Sequence, residues 1–284
     1  MPIKLIAVDM DGTFLNSEKK YNSSRFFKQY KQLKQRGIHF VAASGNPLYT
    51  LKAYFPEIAH EMAFVAENGA YVVDGTETLN YDYFNSDVLQ QILGDLKHDY
   101  AQNLILCGKD SAYIEKSVSE KTQQKLKIYF KNLRQVDDLS QIDDQICKVT
   151  LTTAQQDNQQ ILNDLEQKPY MREKLAKMVS SGFGFIDLII PNRHKAYGLQ
   201  LLQHKWGITH QDVLAIGDNY NDLEMIQMAG YGFAMQNAVP ELKQVAKYIA
   251  PSNEHEGVLD VLDLVLNAQP FQIYSKEDVY LENI

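Results

Sequence analysis

Two hydrophobic rhythms alternate along the first 84 residues. Short apolar runs at 3–8, 38–43 and 62–66, interrupted only by Lys4 and His39, have the length of buried strands. Between the first two, Phe26, Phe27, Tyr30 and Leu33 follow helical spacing, with Ser23 or Ser24 placed to cap the helix and Gly37 to end it. A second helix carries Leu48, Leu51 and Phe55, with Pro47 at its first position and Asn46 at its N-cap. Strand, helix and buried strand make a right-handed crossover, so a parallel sheet is predicted. Residues 71–73 followed by Asp74-Gly75 predict a hairpin after the third strand.

The rhythm changes near residue 85. Ser86 can cap a helix carrying Val88, Ile92, Leu96 and Tyr100, and residues 104–106 and 113–115 read as strands paired around Lys109-Asp110. A helix with Leu126, Tyr129, Phe130 and Leu133, a strand at 148–152, and a helix opened by the glutamine-rich 155–160 follow. Residues 176–180 and 185–190 predict a hairpin about Ser181-Gly182. This grouping predicts an α+β module, 85–187, inserted into a domain built from 1–84 and 188–284. The first rhythm resumes with 188–191 and Lys195, a helix through Leu199, Leu202 and Trp206 ended by Gly207, and a strand at 213–216. A helix with Leu223, Ile226 and Met228, strands at 231–235 and 248–249, and a closing helix at 257–266 complete it. Beyond Pro270, the aromatics Phe271, Tyr274 and Tyr280 could pack on the core or on a second copy, so monomer and homodimer both stay open. The fold class is therefore α/β: a doubly wound, mostly parallel sheet with an inserted module.

Composition narrows the function classes. No apolar run is long enough to span a bilayer, and Asp9 interrupts the first one before a signal-peptide core can form, so a cytoplasmic protein is expected. A net charge of -8 without a lysine or arginine block argues against nucleic acid as partner. An anionic substrate must then be met by local positive groups or a bound cation. Cys107 and Cys147 lie in apolar strand-like segments and read as buried thiols, and the seven histidines show no metal-ligand spacing.

Four predicted strands end in polar groups of complementary type. The first ends in Asp9-Met10-Asp11-Gly12-Thr13, where side chains two apart leave the strand on one face. Alone, such a pair is more often a solvated acidic turn. Ser44-Gly45-Asn46-Pro47 ends the second, and by itself reads as an anion site or an ordinary capped turn. Glu67-Asn68 ends the third and Gly217-Asp218-Asn219-Tyr220-Asn221-Asp222 the strand at 213–216, with Lys195 the one cation placed to balance them. Open parallel sheets bind ligands outside these strand ends. The chemistry such a set can perform is phosphoryl transfer with Mg2+: Asp9 attacks phosphorus, and Asp11 protonates the leaving alkoxide and later deprotonates water.

These segments resemble the four motifs of the haloacid dehalogenase superfamily, and within it the Cof-type capped phosphatases. D-x-D-G-T is Asp9 to Thr13, the serine ending a strand is Ser44, the lysine is Lys195, and G-D-x-x-N-D is Gly217 to Asp222. Glu67-Asn68-Gly69-Ala70, Ala234-Met235-Gln236-Asn237-Ala238 and Glu256-Gly257-Val258 also match Cof-type segments. The resemblance implies a Rossmann-like core with a C2B-type cap that closes over the site. It makes Asp9 the nucleophile and Asp11 the acid/base, with Mg2+ on Asp9, the Asp11 carbonyl and Asp218. It places phosphate on Ser44, the Gly45 amide, Lys195 and Asn221, with Thr13 and Asp222 in support and Asn68 beside them. One departure is Asn46, where many Cof-type members carry arginine; N-capping accounts for it. The closest likeness is to bacterial sugar phosphatases.

The expected activity is a Mg2+-dependent phosphatase for small phosphorylated metabolites, sugar phosphates above all. Transfer of the phosphoryl group to a second sugar, as in a phosphotransferase or phosphomutase, is the alternative within enzymes. A non-catalytic phospho-acceptor signalling domain is the alternative outside them, against which the inserted module and Asp11 both stand. Cap residues that would select the leaving group are sought around 109–113 or 182–185.

Overall fold

The computed structural model describes residues 3–152, 158–182 and 184–271. The chain opens with β1 (Leu5–Val8), α1 (Ser23–Gln35), β2 (His39–Ala43), α2 (Leu48–Tyr54), β3 (Ala63–Ala66), β4 (Tyr71–Asp74) and β5 (Glu77–Tyr81). It continues through α3 (Ser86–Tyr100), β6 (Leu104–Cys107), β7 (Ala112–Glu115), α4 (Glu120–Tyr129), β8 (Leu133–Val136) and β9 (Lys148–Thr152). Then come α5 (Asn158–Glu166), α6 (Pro169–Arg172), β10 (Lys177–Gly182) and β11 (Phe185–Ile189). It closes with α7 (Lys195–Trp206), β12 (Val213–Gly217), α8 (Leu223–Met228), β13 (Tyr231–Met235), α9 (Pro240–Val245), β14 (Tyr248–Ala250) and α10 (Gly257–Leu266).

One sheet has the order β14-β13-β12-β1-β2-β3-β4-β5, parallel from β14 to β3 and antiparallel at β4 and β5. Every residue of β1 and β12 is buried, as continuous apolar strands must be when helices cover both faces. From β1 the chain moves outward through β2 and β3, and from β12 it moves the opposite way through β13 and β14. The sheet is therefore doubly wound, with its switch point between β1 and β12. The crevice beyond their carboxyl ends is the place such a sheet offers a ligand.

Phe14 anchors the loop that follows β1. Its ring packs 5.0 Å from Phe26 and 5.8 Å from Phe55 in a cluster that also takes in Tyr21 and Phe40. Full burial of a ring such as Phe26 contributes roughly 1.5–3 kcal/mol, so the loop is tied to the best-packed part of the core.

The second sheet, β10-β11-β9-β6-β7-β8, is antiparallel except for β7 with β8. Its strands alternate between two different environments. Leu104, Leu106, Val149, Leu151, Ile186 and Leu188 face the core formed with Ile92, Leu96 and Tyr170 of its own helices. On the opposite face Lys148, Thr150, Phe185 and Asp187 line the cavity described below, while Ile105 and Cys107 pack with Ile114, Leu126 and Phe130. This is the α+β cap of the expected fold class.

Several sequence expectations are corrected. Leu188 and Ile189 remain in the second sheet, paired with Val149 and Lys148, because the hydrogen-bonding partner β9 extends that far. Leu133 opens an edge strand; its spacing from Leu126 and Tyr129 continues the helical period, which is why pattern alone places it in α4. Asn22, not Ser23 or Ser24, caps α1, and Asn85, not Ser86, caps α3, each by a side-chain oxygen accepting a backbone N–H three residues on. Pro47, not Asn46, occupies the N-cap of α2. Cys107 and Cys147 are buried free thiols. Phe271 packs on Tyr231, Phe233 and Tyr248, whereas residues 155–157, 183, 274 and 280 lie outside the described residues.

Candidate active site

Asp9 is the first residue past β1, and its N–H donates to the Ile216 carbonyl of β12, so the two central strands hold its position directly. Its neighbour Lys195 begins α7 and is completely buried. The Lys195 Nζ donates to Asp9 Oδ1 at 2.5 Å and to Asp222 Oδ1 at 2.6 Å. The other Asp222 oxygen accepts the N–H groups of Asp218 and Asn219 at 3.0 and 3.1 Å. Thus both oxygens of Asp222 are engaged in holding the lysine and the Asp218 turn. Thr13 Oγ1 donates to Asp218 Oδ1 at 2.8 Å, which joins the first motif to the last.

The charges do not balance. Asp9, Asp218 and Asp222 each offer an oxygen within 4.8 Å of the others, and Lys195 supplies one positive charge among them. Burial pushes Asp9 well above the usual carboxylate range despite Lys195, with Asp222 and Asp218 adding to the rise. Burial and then Asp222 push Asp218 up to about 6. Burial alone would lower Lys195, but Asp222 and Asp9 outweigh it and leave the ammonium raised. A hard divalent cation among these oxygens would relieve the excess, so the donor set fits one. Gly12 shows how closely the loop is drawn against it: its φ is +83°, and a Cβ there would lie 2.4 Å from Asp218 Oδ2.

Asp11 turns away from this group. Its Oδ1 accepts from Lys19 Nζ at 2.6 Å and its Oδ2 from Asn46 Nδ2 at 2.5 Å. Its carboxylate therefore belongs to the cavity rim, leaving its backbone carbonyl as the atom the resemblance assigns to a cation. Asn46 departs from its expected N-cap role for the same reason: its amide is engaged by Asp11, while its backbone N–H donates to Ser44 Oγ at 3.1 Å.

Asp9, Asp11, Ser44, Gly45, Asn46, Asp218 and Asn221 line one cavity of about 180 Å³. Thr13, Asn68, Lys195 and Asp222 stand behind its wall. Asn68 takes the left-handed conformation at φ +55° and accepts from Asn221 Nδ2 at 3.1 Å, so it positions Asn221. The adjoining Gly69 lies against α7, where a Cβ would come within 2.3 Å of the His194 carbonyl. Asn237, in the segment after β13, donates to the Gly12 carbonyl at 2.7 Å and so steadies the first loop from the other side.

The cap adds Tyr129 and Phe130 from the end of α4 and Lys148, Thr150, Phe185 and Asp187 from the second sheet. Of the two expected cap segments, 182–185 contributes Phe185, but 109–113 does not line the cavity; Lys109 instead lies over the Tyr81 ring at 5.4 Å. Lys195 is also not the sole cation at this end, since Lys19 and Lys148 reach it. Neither had a sequence signal beyond ordinary polarity: Lys19 comes from a turn, and Lys148 from a strand whose alternation reads as solvent-facing.

Residues 6–262 match the haloacid dehalogenase-like hydrolase family. The chain is 44% identical over 273 residues to a protein of Escherichia coli (strain K12) named 5-amino-6-(5-phospho-D-ribitylamino)uracil phosphatase YbjI, covering 95% of this chain and 99% of that one. It is 26% identical over 263 residues to the Bacillus subtilis (strain 168) protein YitU, named for the same activity, covering 89% and 94%. Among solved structures, SMU.1108c from Streptococcus mutans UA159 superposes with a TM-score of 0.87 at 36% identity, covering 93% of this chain and 99% of that one. With that match across nearly its whole length, the chain belongs to the haloacid dehalogenase-like hydrolase family.

Proposed function

We propose that this protein is a Mg2+-dependent phosphatase of small phosphorylated metabolites, acting on sugar or polyol phosphates through an aspartyl-phosphate. The observation that carries the reading is the Lys195 ammonium held between Asp9 and Asp222, with Asp218 and the Asp11 rim alongside. Relatives named as phosphatases support it, and two of them are named for a phosphorylated ribityl compound.

In this reading Lys195 favours the ionised form of Asp9 and fixes its orientation, and a divalent cation among the carboxylates would offset the burial that raises it, so that one oxygen can attack phosphorus as the bond to the leaving alkoxide breaks. Asp11 acts once its carboxyl leaves Lys19 and Asn46 and carries a proton: it gives that proton to the alkoxide, then takes one from water as the water attacks the same phosphorus and frees Asp9. Ser44, the Gly45 amide and Asn221 orient the phosphoryl oxygens. Mg2+, held by Asp9, Asp218 and the Asp11 carbonyl, would supply charge neutralisation for the phosphoryl group. Residues 85–189 act as the cap that excludes bulk water.

The test is phosphate release from a panel of sugar, polyol and ribitylamino phosphates, with and without EDTA, by the wild type and Asp9→Asn. Release that requires a divalent cation and disappears in Asp9→Asn is expected. Release that persists in Asp9→Asn would overturn the nucleophile assignment.

A further inference from the structure

The roof of the cavity carries a polar group that phosphoryl transfer itself does not use. Lys148 and Thr150 are two apart on β9, and Asp187 pairs with Thr150 across β11, so all three point from one face of the cap sheet into the cavity. They are nearly inaccessible, at 3%, 1% and 2% exposed. Thr150 Oγ1 donates to Asp187 Oδ1 at 2.6 Å, and Asp187 Oδ2 lies 3.8 Å from Lys148 Nζ. Lys148 crosses to the first sheet, donating to the Gly45 carbonyl at 2.6 Å and pairing with Glu67 Oε2 at 2.7 Å. A buried strand face costs less when apolar, so a charged one set opposite Asp9 calls for a ligand that uses it.

Resting on the phosphatase reading above, we infer that Asp187, Thr150 and Lys148 form the subsite that recognises hydroxyl groups of the leaving alcohol. A hydroxyl both donates and accepts. Asp187 can take its hydrogen, Lys148 can donate to its oxygen, and the Thr150 hydroxyl, its own hydrogen given to Asp187, can accept from a second hydroxyl. An acidic leaving group is disfavoured, because Asp187 and Glu67 together outnumber the Lys148 charge. Beside this group, Phe185 meets Tyr129 edge-on at 5.1 Å and Phe130 at 6.3 Å, forming an apolar wall for carbon faces or a planar ring. The selected class is a monophosphate of an uncharged polyol, with or without an attached ring, and not a phosphorylated carboxylic acid.

The test compares ribitol 5-phosphate, acetyl phosphate and phosphoglycolate as substrates of the wild type, Asp187→Asn and Thr150→Val, with folding checked by circular dichroism. Loss of a hydrogen bond to a charged group predicts that the kcat/KM ratio of ribitol 5-phosphate to acetyl phosphate falls roughly ten- to a hundredfold in Asp187→Asn. A smaller fall in the same direction is expected for Thr150→Val. Relative use of phosphoglycolate should rise in Asp187→Asn as a repelling charge is removed. Ratios that stay within about twofold of the wild type in both folded variants would overturn the subsite alone. A wild type that releases phosphate from none of the three would overturn the phosphatase reading, and the subsite with it.

Discussion

Replacing Lys195 by methionine separates the electrostatic account of the site from a purely steric one. Methionine fills much of the same buried volume but leaves Asp9, Asp218 and Asp222 with no ammonium between them. Removing one partner of a buried ion pair costs about 3–5 kcal/mol, so the variant should lose about that much stability near neutral pH in EDTA. The carboxylates can reduce this cost by taking a proton. In the folded wild type Asp9 is already raised and Asp218 stands at about 6, and loss of Lys195 raises the group further. A carboxylate raised on folding binds more protons in the native than in the unfolded state, so its stabilising contribution is present at low pH and fades as pH climbs through the folded pKa. Each unit of that climb is worth about 1.4 kcal/mol per group. The stability gap between wild type and Lys195→Met should therefore narrow to about 1–2 kcal/mol near pH 5 and widen to the full value above about pH 7. Added Mg2+ should narrow it at the higher pH. Urea denaturation followed by circular dichroism at both pH values, with and without Mg2+, measures each of these. A gap below about 1 kcal/mol at the higher pH, or one indifferent to pH, would refute the charge-excess reasoning.

Two further outcomes follow from the packing around the first loop. Gly12→Ala places a Cβ 2.4 Å from Asp218 Oδ2 at a backbone φ of +83°, so it should displace the carboxylate and weaken Mg2+ binding roughly tenfold or more, as read by calorimetric titration. Phe14→Ala removes a ring that is 5% exposed and should cost about 3–5 kcal/mol in urea denaturation; a cost under about 1 kcal/mol would mean that the loop is not anchored in the aromatic cluster.

Much of the molecule was legible in the residue pattern. Apolar runs at β1, β2, β3 and β12, broken only by His39 at the start of β2, identified strands buried on both faces, since such strands leave almost no place for polar residues. Their polar endings then marked Asp9, Ser44, Asn68 and Asp218 as neighbours, because parallel strands bring their carboxyl ends to one edge. The closing helix at 257–266 and the strand at 231–235 were also read with their observed bounds.

Tertiary structure alone decided which partner each polar atom takes. Asn46 stands one residue before a proline-capped helix, a position where an N-cap is locally as good a use as any, yet its amide reaches Asp11, far away in sequence. Lys19 reaches the same carboxylate from a turn with no motif around it. Lys148, Thr150 and Asp187 occupy the polar half of an alternating pattern, which reads as solvent-facing whenever one face of a sheet is covered by helices. Folding the second sheet over the first turns that polar face into the cavity roof. Periodicity reports which side chains share a face, but which surface that face meets depends on long-range packing, and there the local signal ends.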